Sequence, residues 1–402
     1  MVFFNLYCFE ISMQNLTDNV IRNAIRLRLG KFAKPFSVEV LFYFYLAYRY
    51  LGFLVGLMID TTLSKKKVSF KEGKNVSVRE LIYGFNSKAN IDLTIIVPAY
   101  NVENYIEKCI NSILKQDIKC SFEILIINDC STDKTKEILN AFIDNHCIRV
   151  FDLKVNQGLS AARNVGILNS LGRYLMFLDS DDLLCGNCIQ KSYEEIIKNN
   201  LDIIEFSFLR FQDDETIDLN SIKMVSEPVV VTEYNEILSQ STGYAWGKIY
   251  KRELFENIRF PEGVLFEDGI IHKLVFRLCT KYMHLGCVGY LYRDAPNSIT
   301  KSIKNKNLVW DHLYMIKYCI DEAERLNFPI DNLFFRQIVL ESGLMMKNRS
   351  FYLDSKDLLF VFSRLTDFFN QYDKGFDLTI REKIIVWCIK KKYINAWKWV
   401  AF

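Results

Sequence analysis

The sequence predicts an α/β fold built on a mainly parallel central sheet, with helical extensions at both ends. Three observations carry that prediction. Between residues 91 and 184 short apolar runs alternate with segments of helical period, the pattern of strands joined by crossover helices. Polar residues gather directly after the apolar runs, at the carboxyl ends of the strands where such sheets bind ligands. The composition also fits: 402 residues, 50% hydrophobic and 25% charged, can bury a full core and exclude disordered and fibrous classes. With 31 Phe and 21 Tyr against 6 Pro, large rings are plentiful and chain breakers few.

At the amino-terminal end, Asn19 to Lys34 carries five basic residues interleaved with Ile21, Ile25, Leu27, Leu29 and Phe32, a basic amphipathic pattern. Val38 to Ile59 follows as a long apolar run, then Lys65, Lys66 and Lys67. Its length matches a bilayer, but Arg49 sits in the middle at a cost of about 2.5 to 3.5 kcal/mol for insertion. A spanning helix, an interfacial helix and a helix packed against protein therefore stay open. No secretory signal pattern precedes it.

The alternation then begins. Leu93 to Val97 reads as a strand ending at Pro98, and Tyr105 to Leu114 as a helix. Glu123 to Ile127, Ile148 to Leu153 and Arg173 to Leu178 read as further strands, with helices over Lys134 to Ile143 and Ser160 to Ser170. The last of these strands runs into Asp179-Ser180-Asp181-Asp182. In an extended segment Asp179 and Asp181 point the same way and Ser180 the other. Converging carboxylates suit Mn2+ or Mg2+, completed by phosphate oxygens of a substrate. A turn with an Asp capping the next helix is the other reading, and it suits Asp182 best.

Residues 93 to 184 resemble the nucleotide-sugar domain of the family 2 glycosyltransferases, which have the GT-A fold. The resemblance rests on Val97-Pro98-Ala99-Tyr100-Asn101, Ile127-Asn128-Asp129-Cys130-Ser131-Thr132-Asp133, Asn156 to Gly166 and Leu178-Asp179-Ser180-Asp181-Asp182, in this order. Cys130 stands where the family commonly has Gly. The resemblance implies a nucleobase wall of Pro98, Ala99 and Tyr100 with Glu103 nearby, and Asp129 accepting from a uracil imide. It places Arg163 near the diphosphate or ribose, and Asp179 and Asp181 at the cation, Asp181 closer. Turn formation at Asp129 and helix capping at Asp133 remain the alternatives.

Beyond residue 185 lies the acceptor half. Ile203 to Phe208 reads as a strand and Asp213 to Asp218 as an acidic loop. Sugar transfer to a hydroxyl needs a general base, usually a carboxylate. Glu267 and Asp268 follow a segment containing Trp246, as in the bacterial surface-polysaccharide branch of the family, where the Asp is the base. The resemblance thus gives Asp268 the catalytic role beside Glu267, and Trp246 a place near the acceptor; helix capping is the bland alternative for Asp268. Tyr290-Leu291-Tyr292-Arg293 with Ser298-Ile299-Thr300 resembles a closing motif in which Arg293 holds the leaving diphosphate, a structural ion pair being the alternative. The Gln-x-x-Arg-Trp motif of processive synthases is absent, so one sugar per transfer follows.

Residues 301 to 402 read as helical, with a helix over Leu308 to Ile320 and a tail, Arg381 to Phe402, carrying six basic residues and three Trp. That tail suits an anionic membrane, or packs its Trp inward and solvates its Lys. Three segments result: 1–90, 91–300 (divided at 184 and 185) and 301–402. Their net charges are +7, −9 and +5, so the overall +3 hides an acidic centre between basic ends. Nothing in this pattern points to nucleic acid. Eleven scattered Cys imply a reducing compartment, with Cys185 and Cys188 as buried thiols in preference to a metal or redox pair.

The expected function is a metal-dependent, inverting transfer of one sugar from a UDP-sugar to a glycan or lipid-linked glycan, at the inner face of the cell membrane. The competing readings are a silent membrane-associated glycan- or nucleotide-binding module and a sugar nucleotidyltransferase, although the latter normally has a Gly-rich phosphate loop where PAYNVENY stands. No sequence feature assigns an oligomeric state.

Overall fold

A computed structural model describes residues 47, 49–58, 60, 91–212, 226–294 and 307–401. The expectations for Asn19 to Lys34, Val38 to Leu46, Lys65 to Lys67, Asp213 to Asp218 and Ser298 to Thr300 lie outside the described residues. The chain divides into two compact units. One comprises the described residues between Val76 and Ile303 together with Tyr314–Pro329; the other comprises those before Asn75, Lys304–Leu313 and Ile330–Phe402.

The first unit follows the alternation in order. Strand β1 (Ile91–Ala99) leads to helix α1 (Ile106–Leu114), β2 (Phe122–Asn128) to α2 (Thr135–Asn140), and β3 (Ile148–Asp152) to α3 (Leu159–Asn169). Then come β4 (Gly172–Phe177), β5 (Leu183–Leu184), α4 (Cys188–Asn199), β6 (Ile203–Phe211), β7 (Val229–Val231), α5 (Tyr234–Gln240), β8 (Lys248–Lys251), α6 (Gly269–Lys273) and β9 (Tyr282–Arg293). The sheet runs β3-β2-β1-β4-β8-β6-β9-β5, with β7 also on β9.

The four strands β3, β2, β1 and β4 are parallel, as the alternation predicts. The second half mixes directions within the mainly parallel sheet: β4–β8, β6–β8, β5–β9 and β7–β9 are short antiparallel ladders, and β6–β9 is parallel. The cause is connectivity. Past residue 200 the strands are joined by loops and short helices rather than full crossover helices, so the chain reverses direction.

β1 is buried from Leu93 to Ala99 because the sheet is covered on both faces. Leu93, Ile95 and Val97 pack with Ile106, Ile110 and Ile113 of α1, while Leu125 and Ile127 of β2 face Ala162 of α3. Gly166 lets α3 approach the sheet, since a Cβ there would lie 2.4 Å from a methyl carbon of Ile96. The buried thiols of Cys185 and Cys188 donate to the carbonyls of Val288 and Gly289, a packing role.

In the second unit α8 (Asn332–Leu340) continues through a π-helical turn (Glu341–Met345), and α9 (Ser355–Tyr372), α10 (Ile380–Lys390) and α11 (Ile394–Val400) follow. α7 (Asn307–Arg325) precedes them in the chain. Asp354 caps α9, and Thr379 with Glu382 forms a capping box on α10. The tail divides the two readings given to it: Trp397 is fully buried, its Nε1 donating to the Ser342 carbonyl, whereas Trp387 stays partly exposed.

Residues described within 47–60 are helical and pack on α11 of the same unit. Arg49 is buried; its guanidinium donates to the Trp399 carbonyl and lies 5.5 Å from the centre of that ring. Gly52 and Gly56 make close approach possible: a Cβ on either would run into the Trp399 ring or the Asn395–Ala396 backbone. Asp60 accepts from the Asn395 and Ala396 amides at 3.2 and 2.9 Å. Among the described residues no helix is long and apolar enough to cross a membrane.

Candidate active site

The carboxyl ends of β1, β2 and β4 hold the motifs. Pro98 and Ala99 are buried in β1, in register with Ile127 and Asn128 of β2. Pro98 lies beyond Ile96, the last residue of β1 paired with β4, so its missing N–H removes no ladder bond there. Of the expected nucleobase wall, only Tyr100 presents substantial ring surface, at 47% exposure.

The loops after β1 and β2 are laced together. The Glu103 amide donates to Asp133, and the Glu103 carboxylate accepts from the Lys134 amide at the start of α2. Asp133 also accepts from the Thr135 amide at 3.0 Å, which gives it the helix-starting role. Despite burial, these hydrogen bonds hold Asp133 below its ordinary pKa. Asn101 and Cys130 are left-handed, with φ of 52° and 61°. The Cys130 position is where a Gly would sit without strain.

Asp129 requires a correction. Its two oxygens accept from the Gln157 and Gly158 amides, both at 2.7 Å, and the residue is buried. Burial still pushes its pKa up, against those two amides. The carboxylate fastens the loop before α3 instead of standing open to a base imide. Gly158, with φ of 88°, supplies the turn that aims both amides at it.

Arg163 lies in the first turns of α3, is 1% exposed, and its guanidinium makes three ion pairs: Nη2 to Asp179 at 2.9 Å, Nη1 to Glu267 at 2.8 Å and Nη1 to Asp268 at 3.0 Å. The Phe177 and Phe260 rings flank it at 6.0 and 5.3 Å. Burial opposes its charge, but the three carboxylates outweigh burial and keep it protonated. Arg163 therefore ties the acidic motif after β4 to the Glu-Asp pair, which lies 104 and 105 residues after the arginine.

The turn after β4 is anchored differently at each Asp. The Asp182 amide closes it onto the Asp179 carbonyl at 3.0 Å. The Asp182 carboxylate accepts from the Tyr290 hydroxyl at 2.6 Å and the Arg293 amide at 2.7 Å, so it fastens the turn to β9 and caps no helix. The Arg293 Nε donates to the Asp181 carbonyl at 2.6 Å, and its guanidinium lies between Tyr105 and Phe211, 4.8 and 4.4 Å from the ring centres. Buried there, Arg293 braces the turn. Ser180 is buried within the turn.

Asp181 is left with excess negative charge. Burial first, and then Asp179, push its pKa up to about 6. Asp179 is shared with Arg163, so the cation-ready carboxylate is Asp181. Among the described residues no group of three or more acidic, His or Cys side chains forms a metal cage. Two hard oxygen donors whose negative charge is under-compensated, with the other positions left to substrate oxygens, fit Mg2+ or Mn2+.

Glu267 and Asp268 directly precede α6. Phe266, just before them, has φ of 67°, a strained conformation for a bulky residue, of the kind that collects at functional sites. Asp268 stands at the N-cap position of α6 but makes no side-chain cap to it. Its pKa is pushed up to about 7 by burial; Arg163 lowers it, and Glu267 and Asp179 raise it further. The Ala245 amide also donates to Asp268.

That amide links Asp268 to an aromatic stack. Tyr244 and Trp246 are parallel at 4.5 Å, and Trp246 continues onto Tyr290 at 4.5 Å. Trp246 is only 6% exposed, whereas Tyr244 is 40% exposed. The exposed ring of this stack is thus Tyr244, whereas the sequence pointed to Trp246. A usable signal was present, since residues two apart on an extended segment share a face. Lys248 donates to the Tyr244 carbonyl at 2.9 Å and pairs with Glu205 at 3.3 Å in the interior, holding this segment in place.

Comparisons with known proteins agree with this architecture. The sequence model of glycosyl transferase family 2 matches residues 94–260. The chain is 35% identical to glycosyltransferase GlyA of Streptococcus pneumoniae over 244 residues, covering 58% of this chain but 34% of that protein. It is 31% identical over 243 residues to the putative teichuronic acid biosynthesis glycosyltransferase TuaG of Bacillus subtilis, covering 59% of this chain and 90% of that one. Among solved structures, S. aureus TarS 1-349 in complex with UDP-GlcNAc matches in fold, with a TM-score of 0.61 and 22% identity over 77% of this chain and 90% of the other. The match thus spans about a third of GlyA and nearly all of TuaG, and the chain belongs to glycosyl transferase family 2.

Proposed function

We propose that the protein transfers one sugar from a UDP-sugar to a hydroxyl of a glycan or lipid-linked glycan in surface-polysaccharide assembly, with inversion, at the inner face of the cell membrane. One observation carries the reading: a carboxylate with pKa near 7, Asp268, is tied through Arg163 to the acidic turn after β4. A base poised near neutrality is what abstraction of a hydroxyl proton needs. The acceptor oxygen would attack the anomeric carbon while Asp268 takes its proton and the bond to the donor diphosphate breaks. Arg163 keeps Asp268 in place, and Glu267 shares the guanidinium.

Asp181, with Asp179, would hold Mn2+ or Mg2+, whose charge offsets that on the departing diphosphate. Tyr100 offers a ring to the nucleobase and Tyr244 one to the acceptor sugar. The named relatives in teichuronic acid and minor teichoic acid biosynthesis, both of Bacillus subtilis, support a surface-polymer acceptor. The UDP-GlcNAc complex of TarS supports a UDP-sugar donor.

The test is UDP release from a panel of UDP-sugars with Mn2+, using the full chain and a bacterial lipid extract as acceptor. Acceptor-stimulated release that disappears in Asp181→Ala and Asp268→Ala is the expected result. Wild-type turnover in either variant would overturn the assignment.

A further inference from the structure

The helix within residues 47–60 has two unlike faces. One is spent on α11 through Arg49, Gly52, Gly56 and Asp60. The other carries Tyr50, Leu51, Leu54 and Val55, which are 64%, 61%, 37% and 48% exposed. Four large apolar side chains at positions i, i+1, i+4 and i+5 form one stripe along two turns.

What surrounds this stripe identifies its occupant. Lys391 and Lys392 are exposed just before α11, whose Asn395 and Ala396 amides hold Asp60 at one end of the helix. Lys398 is exposed beside Trp399, which covers Arg49 and Gly52 towards the other end. The sequence is also apolar from Val40 to Leu46, after Glu39, and turns basic at Lys65, Lys66 and Lys67. An apolar stripe bordered by lysines matches an anionic bilayer, with side chains entering the acyl boundary and ammonium groups at the headgroups. A protein partner chosen by charge would need acidic groups around an apolar groove, and a second copy would bring like charges together.

We propose that this outer face docks the protein flat on an anionic lipid surface, with Leu51 and Val55 inserted and Lys391, Lys392 and Lys398 on the headgroups. Arg49 does not oppose insertion, because its charge is directed into the protein. The inference rests on the membrane part of the proposed function and gives it a surface, and the vesicle-binding test of that surface needs neither donor nor acceptor.

The experiment is co-sedimentation of the full chain with phosphatidylcholine vesicles, with or without about 30% phosphatidylglycerol, an anionic fraction chosen to set up a surface potential. Binding is expected only to the anionic vesicles and should weaken as salt rises. Leu51→Asp/Val55→Asp should lower the partition coefficient by about tenfold or more, given the cost of charge at the acyl boundary. Lys391→Gln/Lys392→Gln/Lys398→Gln, confined to exposed side chains, should abolish the preference for anionic lipid even if the first variant folds poorly. Wild-type sedimentation of both variants, equal binding to neutral vesicles, or no binding at all would overturn the proposal. So would a dimer that dissociates in Leu51→Asp/Val55→Asp without any vesicle binding, which would assign the face to a second copy. UDP release by the same variants with a soluble acceptor should stay at the wild-type level, so failure of docking and failure of the proposed chemistry are read separately.

Discussion

The acidic residues after β2 and those after β4 occupy equivalent ends of parallel strands but live in opposite circumstances. After β2, Asp129 and Asp133 spend their oxygens on the backbone amides of Gln157, Gly158, Glu103 and Thr135. After β4 and before α6, Asp181 and Asp268 are half-buried without enough positive charge, and their pKa values climb to about 6 and 7. A carboxylate satisfied by amides builds the scaffold. One left under-compensated can take up a cation or a proton, which is the physical content of a reactive site.

The sharpest way to break that contrast is Asp268→Asn, expected to lower transfer by about 10²- to 10⁴-fold, with nucleotide affinity unchanged by calorimetry. Equal loss in Asp129→Asn, measured in the same assay with the fold intact, would erase the distinction. Next comes Arg163→Met. It strands three carboxylates in the interior and should destabilise the unit by about 3 to 5 kcal/mol, the usual cost of breaking a buried pair from one side, visible as a lower denaturant midpoint. A parallel Glu267→Gln change should recover part of that loss.

The pH profile sharpens the comparison further. Asp268 must be ionised to accept a proton, so turnover should rise with pH and reach half its plateau near 7, where burial places its pKa. A plateau already complete at pH 5 would remove Asp268 as the base. Tyr244→Ala should raise the acceptor KM by about fivefold while Tyr244→Phe leaves it unchanged, in line with a stacking contribution near 1 kcal/mol; a change in kcat alone would argue against a stacking role. The smallest effect is expected at Cys130→Gly, which relieves a left-handed non-glycine residue and should stabilise the fold by about 1 kcal/mol in chemical denaturation.

The strands and helices up to residue 184 were legible because apolar period is a local property, and each crossover helix lies beside its strands in the chain. The antiparallel half was not, since strand direction after residue 200 depends on loop paths that leave no periodic trace. The site divides in the same way. Asp179, Asp181 and Asp268 could be singled out from their motifs, but the guanidinium that joins Asp179 to Asp268 comes from Arg163, and no local pattern links α3 to a pair more than a hundred residues on. Asp129 misled for a related reason: its partners are amides, which every residue carries and no sequence displays.

The clasp between the helix of residues 47–60 and α11 has a consequence for how the chain is made. Asp60 and the Asn395 amide that it binds are 335 residues apart. At about 5 to 20 residues per second, a translating ribosome needs roughly 17 to 67 s to supply the second after the first. The catalytic sheet, whose last strand ends at Arg293, has its full sequence before then. Throughout that interval Gly52 and Gly56 lack the α11 surface that they pack against, so this clasp can close only after the sequence of the sheet is complete.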